Sequence, residues 1–139
     1  MNRNRNRAFR TSGAVLGIAL AFGVGVAVGQ SAPTENKGVK VSPPTAIDLT
    51  NEIEGVAGRQ LRLRTVTIEP GGMAALHSHK GRPAVAYIAQ GTLTEHREGV
   101  GTREYGAGDS LTEDGGTTHW AENKGSEPVI VVAVDVFKP

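Results

Sequence analysis

Residues 72–91 read GMAALHSHKGRPAVAYIAQG, and residues 108–123 read GDSLTEDGGTTHWAEN. Each block pairs short apolar alternations with a turn. In the first, Ala74–His79 and Ala84–Ala89 are predicted strands separated by Lys80–Pro83. In the second, Ser110–Thr112 and Thr118–Glu122 flank the turn Glu113–Gly116. Side-chain direction repeats every two residues along a strand, so His77 and His79 point to one face. Two neutral imidazoles on one inner face are half of a metal site, and imidazole suits Fe, Zn, Cu, Ni or Mn. A third histidine, His119, lies in the second block.

Working outward, no segment after residue 45 keeps helical periodicity, and short strands are cut by Gly-rich turns throughout. Ala46–Leu49, Thr92–Arg97, Arg103–Tyr105 and Val129–Phe137 complete the strand set, together with Gln60–Glu69. In that last strand Leu61 and Leu63 share one parity while Val66 and Ile68 share the other, which predicts a bulge or corner near Arg64-Thr65. Pro70-Gly71-Gly72 is expected to end it. Val129–Phe137, VIVVAVDVF, is apolar on both faces, which places it inside a sheet or at a homodimer interface. The expectation is an all-β sandwich or barrel over residues 45–139.

The formal net charge of the 139 residues is +1 and there is no cysteine. The first excludes nothing-but-charge binding to nucleic acid, and the second excludes disulfides, thiolate metal sites and cysteine nucleophiles. The charge is unevenly spread. Residues 1–29 carry Arg3, Arg5, Arg7 and Arg10 and no acid, leaving eleven basic against fourteen acidic residues in the remainder. An Arg-rich start, an apolar run from Ala14 to Val28 and the small residues Ala27-Val28-Gly29 describe a secretory signal peptide. A retained membrane anchor is the alternative, although the run is shorter than the about 20 residues a spanning helix needs. The expected location is periplasmic or secreted, or membrane-anchored facing the periplasm, with any membrane contact confined to this segment. Residues 30–44, polar and proline-containing, are read as a linker.

The two blocks resemble the paired motifs of the cupin superfamily, with Gly72, His77, His79 and Gly91 at positions of the first and Gly108, Gly116, His119 and Asn123 at positions of the second. The 16 residues between Gly91 and Gly108 match a short inter-motif hairpin. The resemblance covers about residues 60–137 and is to the small, exported, single-domain cupins. It implies a single-domain cupin β-barrel (double-stranded β-helix, jelly-roll type) with His77, His79 and His119 around a divalent transition metal. Iron is the first expectation, with Mn, Zn, Cu or Ni as alternatives. Two positions depart from the pattern. Ala84 stands where the first motif has glutamate, and Asp114 where the second has proline. The missing glutamate leaves three neutral ligands and more open coordination positions, as in three-His cupins that include thiol and diketone dioxygenases.

Other residues have plainer expectations. His96 is read as a solvated turn residue. Trp120 and Tyr87 have outward parity, Met73 is core filler, and Asn123 fixes the turn before Val129. Glu95 is a conceivable substitute carboxylate, but it lies near the hairpin tip. Ala84, Ala86 and Ile88 should face the pocket, joined by Leu63 or Val66, and any inward-facing member of Arg62, Arg64 and Arg82 could bind a carboxylate. The expected partner is a small-molecule ligand. Three functions follow: a metal-dependent dioxygenase, a non-catalytic periplasmic module that binds a small ligand or metal, or a structural role with the barrel as a dimer scaffold.

Overall fold

The computed structural model describes residues 31–139; the expected signal or anchor segment, 1–29, lies outside the described residues. The described chain is all-β and contains no helix. Its strands are β1 (Lys37–Val41), β2 (Thr45–Asp48), β3 (Gln60–Ser78), β4 (Ala84–Gln90), β5 (Thr92–Arg97), β6 (Gly101–Gly106), β7 (Ser110–Glu113), β8 (Thr118–Glu122) and β9 (Val129–Phe137). They run antiparallel in the order β6-β5-β8-β3-β9-β4-β7, with β1 and β2 also on β3, and curl into a nearly closed barrel. β9 lies between β3 and β4, inside the sheet as its two-sided apolar pattern requires.

Strand β3 organises the barrel. Its first half pairs with β9 from Gln60↔Phe137 to Ile68↔Val129, and its second half pairs with β8. Pro70-Gly71-Gly72 therefore bends the strand instead of ending it. Gly71 has φ +70°, open to glycine without strain. A Cβ on Gly72 would meet the carbonyl oxygens of Glu69 and Lys37 at 2.7 and 2.8 Å, so the bend can close only without a side chain. Asn123, 1% exposed, ties the bend down. Its backbone exchanges hydrogen bonds with Gly71 and Gly72, and its Nδ2 donates to the carbonyls of Ile68 and Glu127. The expected role of Asn123 in the turn before Val129 is thus met, and extends to the bend.

Two expectations are corrected. The β3–β9 register is continuous across Arg64-Thr65, so no bulge lies there. Parity is kept, and Leu61 and Leu63 point outward, 39% and 43% exposed, while Arg62, Arg64, Val66 and Ile68 share the inner side. The pattern inverts because that end of the barrel interior holds a charged layer, described below. The segment read as a linker, 30–44, contains strand β1, which pairs with Val66–Ile68 and Met73 of β3 and sets Val39 and Val41 against the interior. Its alternation of Val39 and Val41 was too short to stand out between lysines and prolines.

The core consists of inward residues from β3 to β9, with Ile68, Ile88, Leu93, Leu111, Val129 and Val131 all at or below 8% exposure. Burial alternates along β4 (Ala84, Ala86, Ile88) and β9 (Val129, Val131, Ala133), as the pleat dictates. One-sided burial of this kind fixes strand register, and register places the histidines.

Candidate metal centre

His77 and His119 are direct cross-strand partners on β3 and β8. The β3–β8 ladder takes an extra β3 residue between Ala74 and His77, a bulge of the kind that re-aims side chains. Past the end of β3, His79 is held by its backbone N–H donating to the Thr117 carbonyl. The result is a triangle: the Nε2 atoms of His77, His79 and His119 lie 3.1 Å apart along every edge. All three expected ligands are brought together.

The remaining ring nitrogens fix the tautomers. Nδ1 of His77 faces the Ala75 carbonyl at 2.8 Å, Nδ1 of His79 the Arg82 carbonyl at 3.2 Å, and Nδ1 of His119 the Glu95 carboxylate at 2.6 Å. Carbonyls and carboxylates only accept, so each Nδ1 carries the proton and donates it. Every Nε2 is then a bare lone pair pointed at two others. Such an arrangement repels itself unless a cation sits among them. Two nitrogens sharing one ion at about 2.1 Å lie about 3.0–3.4 Å apart between octahedral and tetrahedral geometry, and the observed triangle fits. Burial pushes the His77 imidazole below its ordinary pKa. Burial, with the adjoining His119 ring and the Arg82 charge, takes His79 down to about 4. Both rings are therefore neutral and ready to ligate at neutral pH.

Two carboxylates complete the surroundings. Glu95, 2% exposed on β5, accepts from His119 Nδ1, from Arg97 Nε and Nη2, and from the Tyr105 hydroxyl. Burial alone would raise its pKa, but the hydrogen bonds from His119 and Arg97 outweigh it and hold the group ionised. Glu95 thus supports a ligand from behind; it does not replace one.

Glu113 was not expected at all. Its Oε2 is 3.4 Å from His79 Nε2, and its Oε1 is 3.5 Å from His119 Nε2. It sits at the end of β7, opposite Ala84 in the β4–β7 ladder. A carboxylate missing from one strand is supplied by its neighbour across the ladder. Two deprotonated imidazole nitrogens give Glu113 no proton to accept, so its position also suits a cation. The three expected histidines form the ligand cluster, and the structure adds a carboxylate alongside them. Ending the predicted strand at Thr112 put Glu113 in a turn; its shared parity with buried Leu111 was the available signal.

A family model described as a cupin domain matches residues 64–136. The chain belongs to the cupin family. It is similar to an uncharacterized conserved protein with a double-stranded β-helix domain from Klebsiella pneumoniae (26% identity, 56% of this chain, 68% of that one, TM-score 0.53). It is also similar to an S161A mutant of Bacillus subtilis oxalate decarboxylase (31% identity, 76% of this chain, TM-score 0.53), of which it spans 27%. A Cupin_2 domain of an XRE family transcriptional regulator from Enterobacter cloacae shares the fold at 14% identity, covering 74% of this chain and 100% of that one, with TM-score 0.53. No curated protein matches.

The cupin's other candidates separate cleanly from the centre. His96 is not a solvated turn residue. It stacks on Trp120 (ring centroids 3.8 Å, planes 5° apart), approaches Glu122 Oε1 at 2.7 Å and pairs with the Thr102 hydroxyl. Both rings lie on the side away from the three histidines, as Trp120's parity required. Tyr87 is outward and 49% exposed, as expected. On the inner side a cavity of about 390 Å³ reaches the histidines, walled by apolar side chains such as Val66, Ala86 and Val131, with Arg64, Arg82 and Glu113 as its charged lining.

Proposed function

We propose that this cupin is an exported, metal-dependent enzyme of the dioxygenase kind that acts on a small molecule. The single observation that carries the reading is the triangle of three unprotonated Nε2 atoms, 3.1 Å apart, opening onto a cavity of ligand size. His77, His79 and His119 would hold the ion, with Glu113 as the fourth donor. Bound Fe(II) would supply Lewis acidity and the redox capacity that O₂ chemistry needs. The chain's own residues do the rest. Ala75, Arg82 and Glu95 lock the imidazole tautomers, and the apolar walls exclude bulk water and orient the ligand. Ala84, where a larger side chain would stand in the motif, lies opposite Glu113 in the β4–β7 ladder. Export is supported by the composition of residues 1–29.

A second reading is redox-neutral decarboxylation, in which Glu113 keeps a proton to deliver to the product carbon. Burial raises the Glu113 pKa, chiefly through desolvation, and the likeness to an oxalate decarboxylase points the same way. Oxygen uptake by iron-loaded protein, run against thiols, diketones, catechols and oxalate, separates the readings. Metal-dependent O₂ consumption supports the first, and CO₂ release from oxalate without net O₂ use supports the second. Tight ligand binding with neither would favour a non-catalytic binding module and overturn both.

A further inference from the structure

Three arginines meet the buried carboxylate of Asp135, but unequally. Arg62 donates Nε and Nη2 to its two oxygens at 2.9 and 2.8 Å, a bidentate pair that neutralises it. Arg64 Nη1 and Arg82 Nη1 stand 3.5 and 3.6 Å from Oδ2. At that range they feel the charge without an aligned hydrogen bond. Among the described residues no acceptor receives a hydrogen bond from either guanidinium. Their side chains are only 19% and 24% exposed. No fully buried side-chain nitrogen or oxygen lacks a partner, so the unused N–H groups open onto the cavity that both arginines line. Once Arg62 has satisfied Asp135, two positive charges face a largely apolar chamber, and the one acid lining it, Glu113, sits at the histidine centre.

Little-hydrated cations on an apolar wall are costly without an anion, and two forked guanidiniums present coplanar donors that match a carboxylate. We propose that the cavity is an organic-acid site: Arg64 and Arg82 clamp a carboxylate, and the ligand's apolar body lies along Val66, Ala86 and Val131 towards the histidines. This assigns the substrate class within the reading above, and rests on it for the role of the histidine end.

The test uses 4-methylpentanoate and its neutral isostere 4-methylpentanamide as probes, with binding measured by calorimetry on the metal-loaded protein, on Arg82→Gln and Arg64→Gln, and on His79→Ala. Metal content is determined on each sample. The carboxylate should bind at least tenfold more tightly than the amide, and either arginine variant should erase that preference without loss of metal. His79→Ala should keep the preference. Equal binding of the two probes, binding of neither, or a preference that survives both arginine variants overturns the proposal. A preference that disappears in His79→Ala shows the carboxylate on the metal, and also overturns it. Absence of metal in the wild type, with the preference intact, would instead remove the metal reading and leave the anion site standing.

Discussion

Glu95→Gln isolates the contribution of the residue behind His119. The carboxylate oxygen accepts the His119 Nδ1 proton at 2.6 Å and two Arg97 donors at 3.2 and 2.9 Å, in a site where Glu95 is 2% exposed. Glutamine keeps the shape, and its amide oxygen can still accept from His119. What disappears is the negative charge that makes the imidazole a more electron-rich ligand and fixes its tautomer. Loss of such a partner costs about 10–100-fold in metal affinity, or about 1.4–2.7 kcal/mol. Competition against a chelator of known affinity at fixed pH reads this directly, with circular dichroism to confirm an intact barrel. An affinity within about threefold of wild type would show that the Glu95–His119 contact does not tune the centre. A loss of several thousandfold would mean that Glu95 is itself a ligand, contrary to its placement.

Other outcomes follow from the same geometry. Glu113→Ala should lower metal affinity while leaving the three histidines able to bind, so chelator competition should show weakened, not abolished, binding; unchanged affinity would remove Glu113 from the donor set. Asn123→Ala strips the donor from the Ile68 and Glu127 carbonyls and should cost about 2–3 kcal/mol, lowering Tm by about 10–15 °C in a thermal melt. The Asp135 carboxyl is pushed up by burial, but the Arg62 hydrogen bonds and the arginine charges outweigh this and hold it below its ordinary range. Its contribution to stability is therefore complete above the unfolded value of about 3.9 and is lost as pH falls through the lower folded value. Melts between neutral and strongly acidic pH should show that loss, and Asp135→Asn should flatten it while lowering stability at neutral pH by about 3 kcal/mol.

Much of the barrel was legible because period-two alternation is strong where one face is buried. Thr92–Arg97, Thr118–Glu122 and Val129–Phe137 have the bounds that the sequence suggested, and the His-x-His pair could be put on one face by parity alone. The misreadings share a physical origin. Alternation reports hydrophobicity, and at one end of this barrel the interior is charged. Arg62 and Arg64 face inward because Asp135 meets them there, while Leu61 and Leu63 lie outside. No local pattern announces an ion cluster formed between residues 73 positions apart. The same holds for Glu113, whose closeness to His79 and His119 depends on the pairing of β7 with β4, and for His96, whose polar neighbours in sequence gave no sign of the Trp120 ring beneath it.

The central claim is that three bare imidazole nitrogens exist to hold an ion. Metal content of the purified protein, measured by elemental analysis alongside His79→Ala, tests it most directly. About one divalent transition-metal ion per chain is expected in the wild type, as for a single cluster of three histidine ligands. His79→Ala should hold almost none while retaining the β-sheet spectrum of the wild type. A wild-type protein that retains no Fe, Mn, Zn, Cu or Ni after anaerobic loading, or a variant that holds metal equally well, would contradict the account.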